Sequence, residues 1–231
     1  WEAEAALLLA ERSRARRRDV VEVALPGHLT VSQLVALRRD PAELARSIRR
    51  PVPYPPAPLA RRGTAFHNWL ERRFGAQRLL DIDELPGAAD ATAGPDDDLA
   101  LLQEAFLASP WADRTPAHVE VPFATMVAGV VVRGRMDAVF VDGDGWDVVD
   151  WKTGKPPSDG AAAAVQLAAY RLAWADLSGT PVEAVRAGFH YVRAGSTVRP
   201  VDLLDAEGLA DLVRSVPLID HDPGRPAPSA R

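Results

Sequence analysis

Two periods divide the chain. From Trp1 to about Ser109 the apolar residues recur mostly at helical spacing, whereas from Val119 to Trp151 they come as β-branched runs with strand alternation. Trp1 to Arg18, rich in Ala, Leu, Glu and Arg and free of Gly and Pro, predicts a helix. Val20–Val23 reads as a short strand. Thr30 and Ser32 are candidate caps for a helix whose apolar positions Leu34, Val35, Leu37 and Leu44 make one buried stripe. The five prolines from Pro51 to Pro58 predict an extended connection. A second helix starts at Gly63, with Phe66, Trp69, Leu70 and Phe74 spaced for packing and His67 and Glu71 on a different edge. Residues 81–98 read as a solvated loop, and Leu99–Ser109 returns to helix before Pro110.

Val119–Val127, Val130–Val141 and Trp146–Trp151 predict three consecutive antiparallel strands, the last two joined by the turn Asp142-Gly143-Asp144-Gly145. Ala161–Leu177 predicts a helix, Val185–Val192 a strand, Thr197–Leu203 a candidate partner for it, and Asp205–Val213 a closing helix. Pro217–Arg231 reads as an unstructured tail. This order implies an α/β fold in which helices cover a mixed sheet, with a helical N-terminal elaboration.

At 231 residues and 47% hydrophobic content the chain can bury one sizeable core, so one elaborated domain fits better than two. No run reaches membrane-spanning length and no signal peptide is evident, so a cytoplasmic setting is expected. The absence of cysteine excludes disulfides, thiolate metal sites and an iron–sulfur cluster. The chain opens on Trp1 rather than Met, which implies a piece of something longer.

Charge is unevenly placed. Residues 1–73 carry 14 arginines against 8 acids, a net of +6, and residues 74–231 carry 13 basic against 24 acidic residues, a net of −11. That split fits a basic entrance to an acidic centre, although solvated helix faces produce similar clusters. Only two of the 27 basic residues are lysines, Lys152 and Lys155, and both lie just after Asp150. Lysine is a compact ammonium suited to a place beside a phosphate or an attacking water. Lys152 follows Asp150 at the strand period, so both can leave one face. Asp137 interrupts the preceding apolar strand. An ion pair to Arg133 or Arg135, or an outward phase, would explain it alone. The hairpin that brings it near Asp150 and Lys152 favours instead an oxygen-rich site for Mg²⁺ or Mn²⁺.

These residues carry a resemblance. Gly134-Arg135-Met136-Asp137, Asp150-Trp151-Lys152-Thr153-Gly154 and Gln166-Leu167-Ala168-Ala169-Tyr170 resemble the RecB-type nuclease branch of the PD-(D/E)XK superfamily. Gly63-Thr64-Ala65-Phe66-His67 resembles its upstream histidine helix. The blocks run from about Ser32 to Tyr170, and the chain is similar to the C-terminal nuclease domain of actinobacterial AdnAB-type helicase–nuclease subunits. The resemblance implies a restriction-endonuclease-like fold over residues 29–216, preceded at 1–28 by a helix from an upstream helicase region and followed by a flexible tail at 217–231. It implies that His67, Asp137, Asp150 and the carbonyl of Trp151 hold the metal, and that Asp137, Asp150 and Lys152 carry catalysis. Gln166 and Tyr170, four apart on a helix, would organise the site and hold a DNA phosphate. Arg72 and Arg73, beside the histidine helix, are candidate DNA contacts. Glu71 and Glu120 stay outside the expected ligand set. Met136 stands where the superfamily name has Pro, and Asp40-Pro41 lies where some relatives carry a cluster-binding Cys.

The activity so implied is a divalent-metal-dependent DNA nuclease, single-strand-specific, serving a fused or associated helicase motor, with a possible second helicase–nuclease subunit, in double-strand-break processing and recombinational repair. The alternative is an inactive nuclease-fold module that binds or guides DNA; such a module should have lost one of His67, Asp137, Asp150 and Lys152, and all four are present. No membrane partner is expected. ATP hydrolysis is not expected either, because no Gly-rich loop with a following Lys-Ser or Lys-Thr precedes a helix.

Overall fold

The computed structural model describes residues 1–16, 23–50, 58–75, 97–156 and 160–216. Most of the expected strand at Val20–Val23, the proline-rich connection up to residue 57, nearly all of the 81–98 loop and the 217–231 tail lie outside them. Helix α1 covers Glu2–Arg16. Strand β1, His28–Thr30, leads into α2, Val31–Arg39, where Thr30 forms a capping box: its hydroxyl accepts from Gln33 N at 3.1 Å and Gln33 Oε1 accepts from Thr30 N at 2.9 Å. The expected single helix through Leu44 is two helices. Pro41 cannot continue α2, and Asp40 ends that helix while its carboxylate accepts from Glu43 N to start α3, Pro41–Arg49. The histidine helix α4 runs Pro58–Arg73, starting five residues before Gly63, because proline is well suited to a first helical turn.

After α5 (Asp97–Leu107) come β2 (His118–Val127), β3 (Val130–Asp142) and β4 (Gly145–Lys152), then α6 (Gly160–Ser178), β5 (Val185–Tyr191), β6 (Ser196–Val198) and α7 (Ala206–Arg214). The three expected strands β2, β3 and β4 are antiparallel as read. Helix α6 is the crossover that makes β5 parallel to β4, and β6 returns antiparallel on β5.

The organising strand is β3. One edge pairs with β2 from Val130 to Val139. The other edge is shared: β1 runs parallel to Val131–Arg133, and β4 runs antiparallel to Ala138–Asp142. Between them, Gly134 to Asp137 have no strand partner on that edge among the described residues, which creates a fork in the sheet. Gly134 permits a tight floor below the fork, since a Cβ there would stand 2.7 Å from both the Phe123 ring and Val31 Cγ2.

Cores lie on both faces. Leu34, Leu37, Val132, Met136, Val148 and Leu167 pack between the sheet and α2, α6 and α7. Phe66, Leu70, Leu102, Phe106, Phe140 and Trp151 pack on the side of α4 and α5. Burying both faces makes β4 a nearly continuous buried run from Asp147 to Trp151, so each carboxylate within it requires a compensating partner.

Candidate active site

The cluster starts from an irregularity in the pleat. Along β3, Val132 and Met136 face the α6 core, yet Ala138 and Phe140, of the same parity, face the α5 core, and Val139 faces α6 again. The alternation therefore breaks at Asp137. Across β2 the register pairs Val119 with Ala138 and Val121 with Met136, skipping the position between, where Glu120 has a left-handed φ of 52°. That conformation costs a non-glycine residue on the order of 1–2 kcal/mol. Glu120 and Asp137 are thus turned at matching positions, beside the fork.

Asp150 continues the β3–β4 register to the place opposite Asp137, and Val148, Asp150 and Lys152 point toward α6. Gln166 Nε2 donates to Asp150 Oδ1 at 2.6 Å and to the Tyr170 hydroxyl at 2.7 Å, while that hydroxyl donates to Asp150 Oδ1 at 3.3 Å. Lys152 Nζ lies 2.6 Å from Asp150 Oδ2 and donates to Gln166 Oε1 at 3.2 Å. The Phe189 ring backs the ammonium at 4.9 Å. Apart from the lysine, Oδ2 has no partner among the described residues.

Asp137 Oδ2 accepts from the Trp151 amide at 2.7 Å and lies 3.7 Å from His67 Nδ1 on α4. Burial, reinforced by the charge of Asp150, raises the Asp137 carboxyl from 3.8 to about 6, despite the opposing pull of His67, the Trp151 amide and Lys152. Burial disfavours the Lys152 ammonium, yet Asp150 and Asp137 outweigh it and hold its pKa above the ordinary value. Burial and the same two acids push the Tyr170 phenol well up, so it remains a donor.

Of the expected site residues, His67, Asp137, Asp150, the Trp151 backbone, Lys152, Gln166 and Tyr170 come together here. Tyr170 is 4% exposed and reaches the site through its hydroxyl. Arg72 and Arg73 lie apart on the exposed end of α4, where Arg73 donates to the Ala112 carbonyl at 3.1 Å and stacks 5.9 Å from the Trp69 ring. Lys155 is exposed beyond the strand. Arg135 is 3.8 Å from Glu120, so the ion pair considered for Asp137 goes to a different acid. Glu120 is the residue that sequence reasoning left aside: His67, Glu120 and Asp137 each bring one ligand atom within 4.8 Å of the other two. From the sequence it was a candidate only to support the ligands from behind; the signal for a direct role lies in the backbone twist. An imidazole and two carboxylates, with Asp150 repelling Asp137 beside them, fit a divalent cation.

Fold and cluster together define a restriction-endonuclease-like domain. The chain belongs to the PD-(D/E)XK nuclease superfamily, whose model matches residues 28–221, and nucleases of this superfamily generally use divalent metals. Among solved structures it is similar to SSO0001 (18% identity, 92% of this chain and 84% of that one, TM-score 0.42). It is also similar to a protein from Eubacterium rectale designated "putative exonuclease" (9% identity, 82% and 77%, TM-score 0.49). No curated protein matches the chain.

Proposed function

We propose that this domain hydrolyses phosphodiester bonds in single-stranded DNA with Mg²⁺ or Mn²⁺, as the nuclease module of an AdnAB-type helicase–nuclease that processes broken DNA ends. The observation that carries the hydrolytic reading is the meeting of Asp137, Asp150 and Lys152 with His67 and Glu120 at the sheet fork. His67, Asp137, Asp150 and the Trp151 carbonyl are the proposed ligands, and Glu120 joins them. When bound, the metal supplies Lewis-acid neutralisation of the phosphate and lowers the pKa of water. The chain's own groups do the rest. Asp137, raised to about 6, is mostly ionised at neutral pH and would serve as a ligand in that form. Lys152, held charged by the acids, orients the attacking water or stabilises charge on the phosphate. Gln166 and Tyr170 fix the rotamer of Asp150 and offer polar edges to a DNA phosphate. In-line attack then releases a 3′ hydroxyl and leaves a 5′ phosphate. No covalent intermediate is needed.

The single-strand preference, the helicase motor and partner subunit and the role in recombinational repair are supported by the resemblance of the four sequence blocks, and the cytoplasmic setting by the composition of the chain. The division into an upstream helix at 1–28, the nuclease domain at 29–216 and a tail rests on the same resemblance. Among the described residues, no helix is long and apolar enough to cross a membrane.

The test is cleavage of end-labelled single- and double-stranded DNA with Mg²⁺ or Mn²⁺ against EDTA, using the wild type and Asp150→Ala. Metal-dependent cleavage lost in the variant, with melting preserved, is expected. Unchanged cleavage in Asp150→Ala would remove the site assignment, and DNA binding without any cleavage would leave the guiding module.

A further inference from the structure

We infer that a pocket on the α5 side of β4, separate from the catalytic cluster, is a second, non-catalytic binding site for a phosphate group. The pocket has a volume of about 240 Å³ and is lined by Trp111, Arg114, Asp147, Arg186, Thr197 and Arg199. Asp147 stands three residues before Asp150, on the opposite face of the strand, roughly 10 Å away along it. Nothing in the catalytic reading uses these residues.

Three guanidinium groups converge on one oxygen. Arg199 Nη2 lies 2.6 Å, Arg186 Nη2 3.7 Å and Arg114 Nη1 4.0 Å from Asp147 Oδ2. Any two of these nitrogens are therefore within about 8 Å, a span one phosphate group bridges with a charge-assisted hydrogen bond at each side. The phosphate would be held by the free N–H donors of the arginines on their solvent side, away from the carboxylate. Asp147 is fully buried and accepts from this cluster through Oδ2 alone, so it neutralises only part of the guanidinium charge. Arg186 also pairs with Asp142, so three positive charges meet two carboxylates and one positive charge is left over.

The arginines are held in place before any ligand arrives. Arg114 lies 4.8 Å from the centres of both Trp111 and Phe140 and donates to the Val141 carbonyl at 3.2 Å. Arg199 lies 5.7 Å from the Trp111 ring, which is itself pinned by its Nε1 donating to Thr197 Oγ1 at 3.0 Å. Each guanidinium keeps N–H donors beyond those bonds, and all three are partly exposed. Immobilised, undersubscribed arginine forks recognise a tetrahedral anion at low ordering cost. Two sources share that chemistry: the backbone of a DNA strand, which rests on the DNA-cleaving reading above, and a free phosphate or nucleotide, which does not.

The test uses the full chain in EDTA, so that cleavage plays no part. Inorganic phosphate and, separately, a single-stranded oligonucleotide are titrated against wild type, Arg186→Gln, Arg199→Lys and the remote control Arg214→Gln. Arg186 sits at the rim and Arg199→Lys keeps a charge on Asp147, so both variants should fold; melting curves check this. About tenfold weaker binding of a probe is expected in both pocket variants and not in the control. Loss confined to the oligonucleotide, with a salt slope shallower by about one for Arg186→Gln, makes DNA the occupant. Loss confined to inorganic phosphate makes it a free phosphate or nucleotide, and loss of both probes supports the phosphate site with either source able to fill it. Isotherms for both probes unchanged in both folded variants would overturn the proposal, whatever the fate of the nuclease activity.

Discussion

Lys152 shows how much one ammonium depends on its surroundings. It is 2.6 Å from Asp150 Oδ2, bonded to Gln166 and backed by Phe189, whereas Lys155 is exposed. A guanidinium keeps the charge but needs a wider, planar slot that this packing does not offer. Lys152→Arg should therefore lower cleavage by at least about a hundredfold, while Lys155→Arg stays near wild type; the opposite ranking in a nuclease assay would show the wrong lysine had been chosen. Asp137 has a thermodynamic counterpart. Its folded pKa of about 6 exceeds 3.8, so between those values the metal-free folded protein binds a proton that the unfolded chain has released. Its contribution to stability is complete below pH 3.8 and is lost as pH rises through 6. Asp137→Asn should consequently stabilise the metal-free protein at pH 8, on the order of 2 kcal/mol, with the difference closing toward pH 4. Melting in EDTA at both pH values checks this, and a less stable variant at pH 8 would contradict it.

At the scale of elements, the tightest constraint is where β4 begins. A Cβ on Gly145 would run into the backbone carbonyl of Ala184, which precedes β5, and a carbonyl cannot swing aside as a side chain can. Gly145→Ala should cost at least about 2 kcal/mol in denaturant unfolding, whereas Gly143→Ala, with open space but a φ of 60°, should cost roughly 1 kcal/mol. Equal melting of both variants with wild type would mean the strand start is more plastic than described. The strands β2 to β5 and helix α6 were legible because their apolar runs are long and their turns carry Gly and Asp. Strand β1 was not, since three residues hold no period and its pairing comes from β3. The break at Asp40-Pro41 was marked by its residues but masked by the apolar stripe running through it. In the site, the Asp150-x-Lys152 spacing was local and readable. Glu120 depends on a left-handed backbone turn and on a partner strand, neither of which leaves a local trace.

Across the whole molecule, charge is divided so that, on the proposed function, DNA capture and chemistry would fall to different parts of the chain. The arginine-rich first third supplies α4, whose last turn exposes Arg72 and Arg73, while the more acidic remainder supplies the carboxylates of the site. Each phosphate contact adds to the salt dependence of binding. Replacing Arg72 and Arg73 together by Gln should weaken single-strand binding and reduce its salt slope by about two, while cleavage at saturating DNA falls far less than in Asp150→Ala. An unchanged isotherm and slope would move the DNA path elsewhere.

The fork in β3 also has a bearing on how the sheet breathes. A central strand is ordinarily the slowest part of a sheet to exchange its amide hydrogens, because both edges are claimed. Here the second edge changes hands between Arg133 and Ala138, so the amides of Gly134 to Asp137 that point to that side have no ladder to open among the described residues. Hydrogen exchange should divide the strand into two slow stretches around a fast gap, and the gap should fall at Asp137. The sheet would then be at its most yielding beside the candidate site, in the strand that carries Asp137.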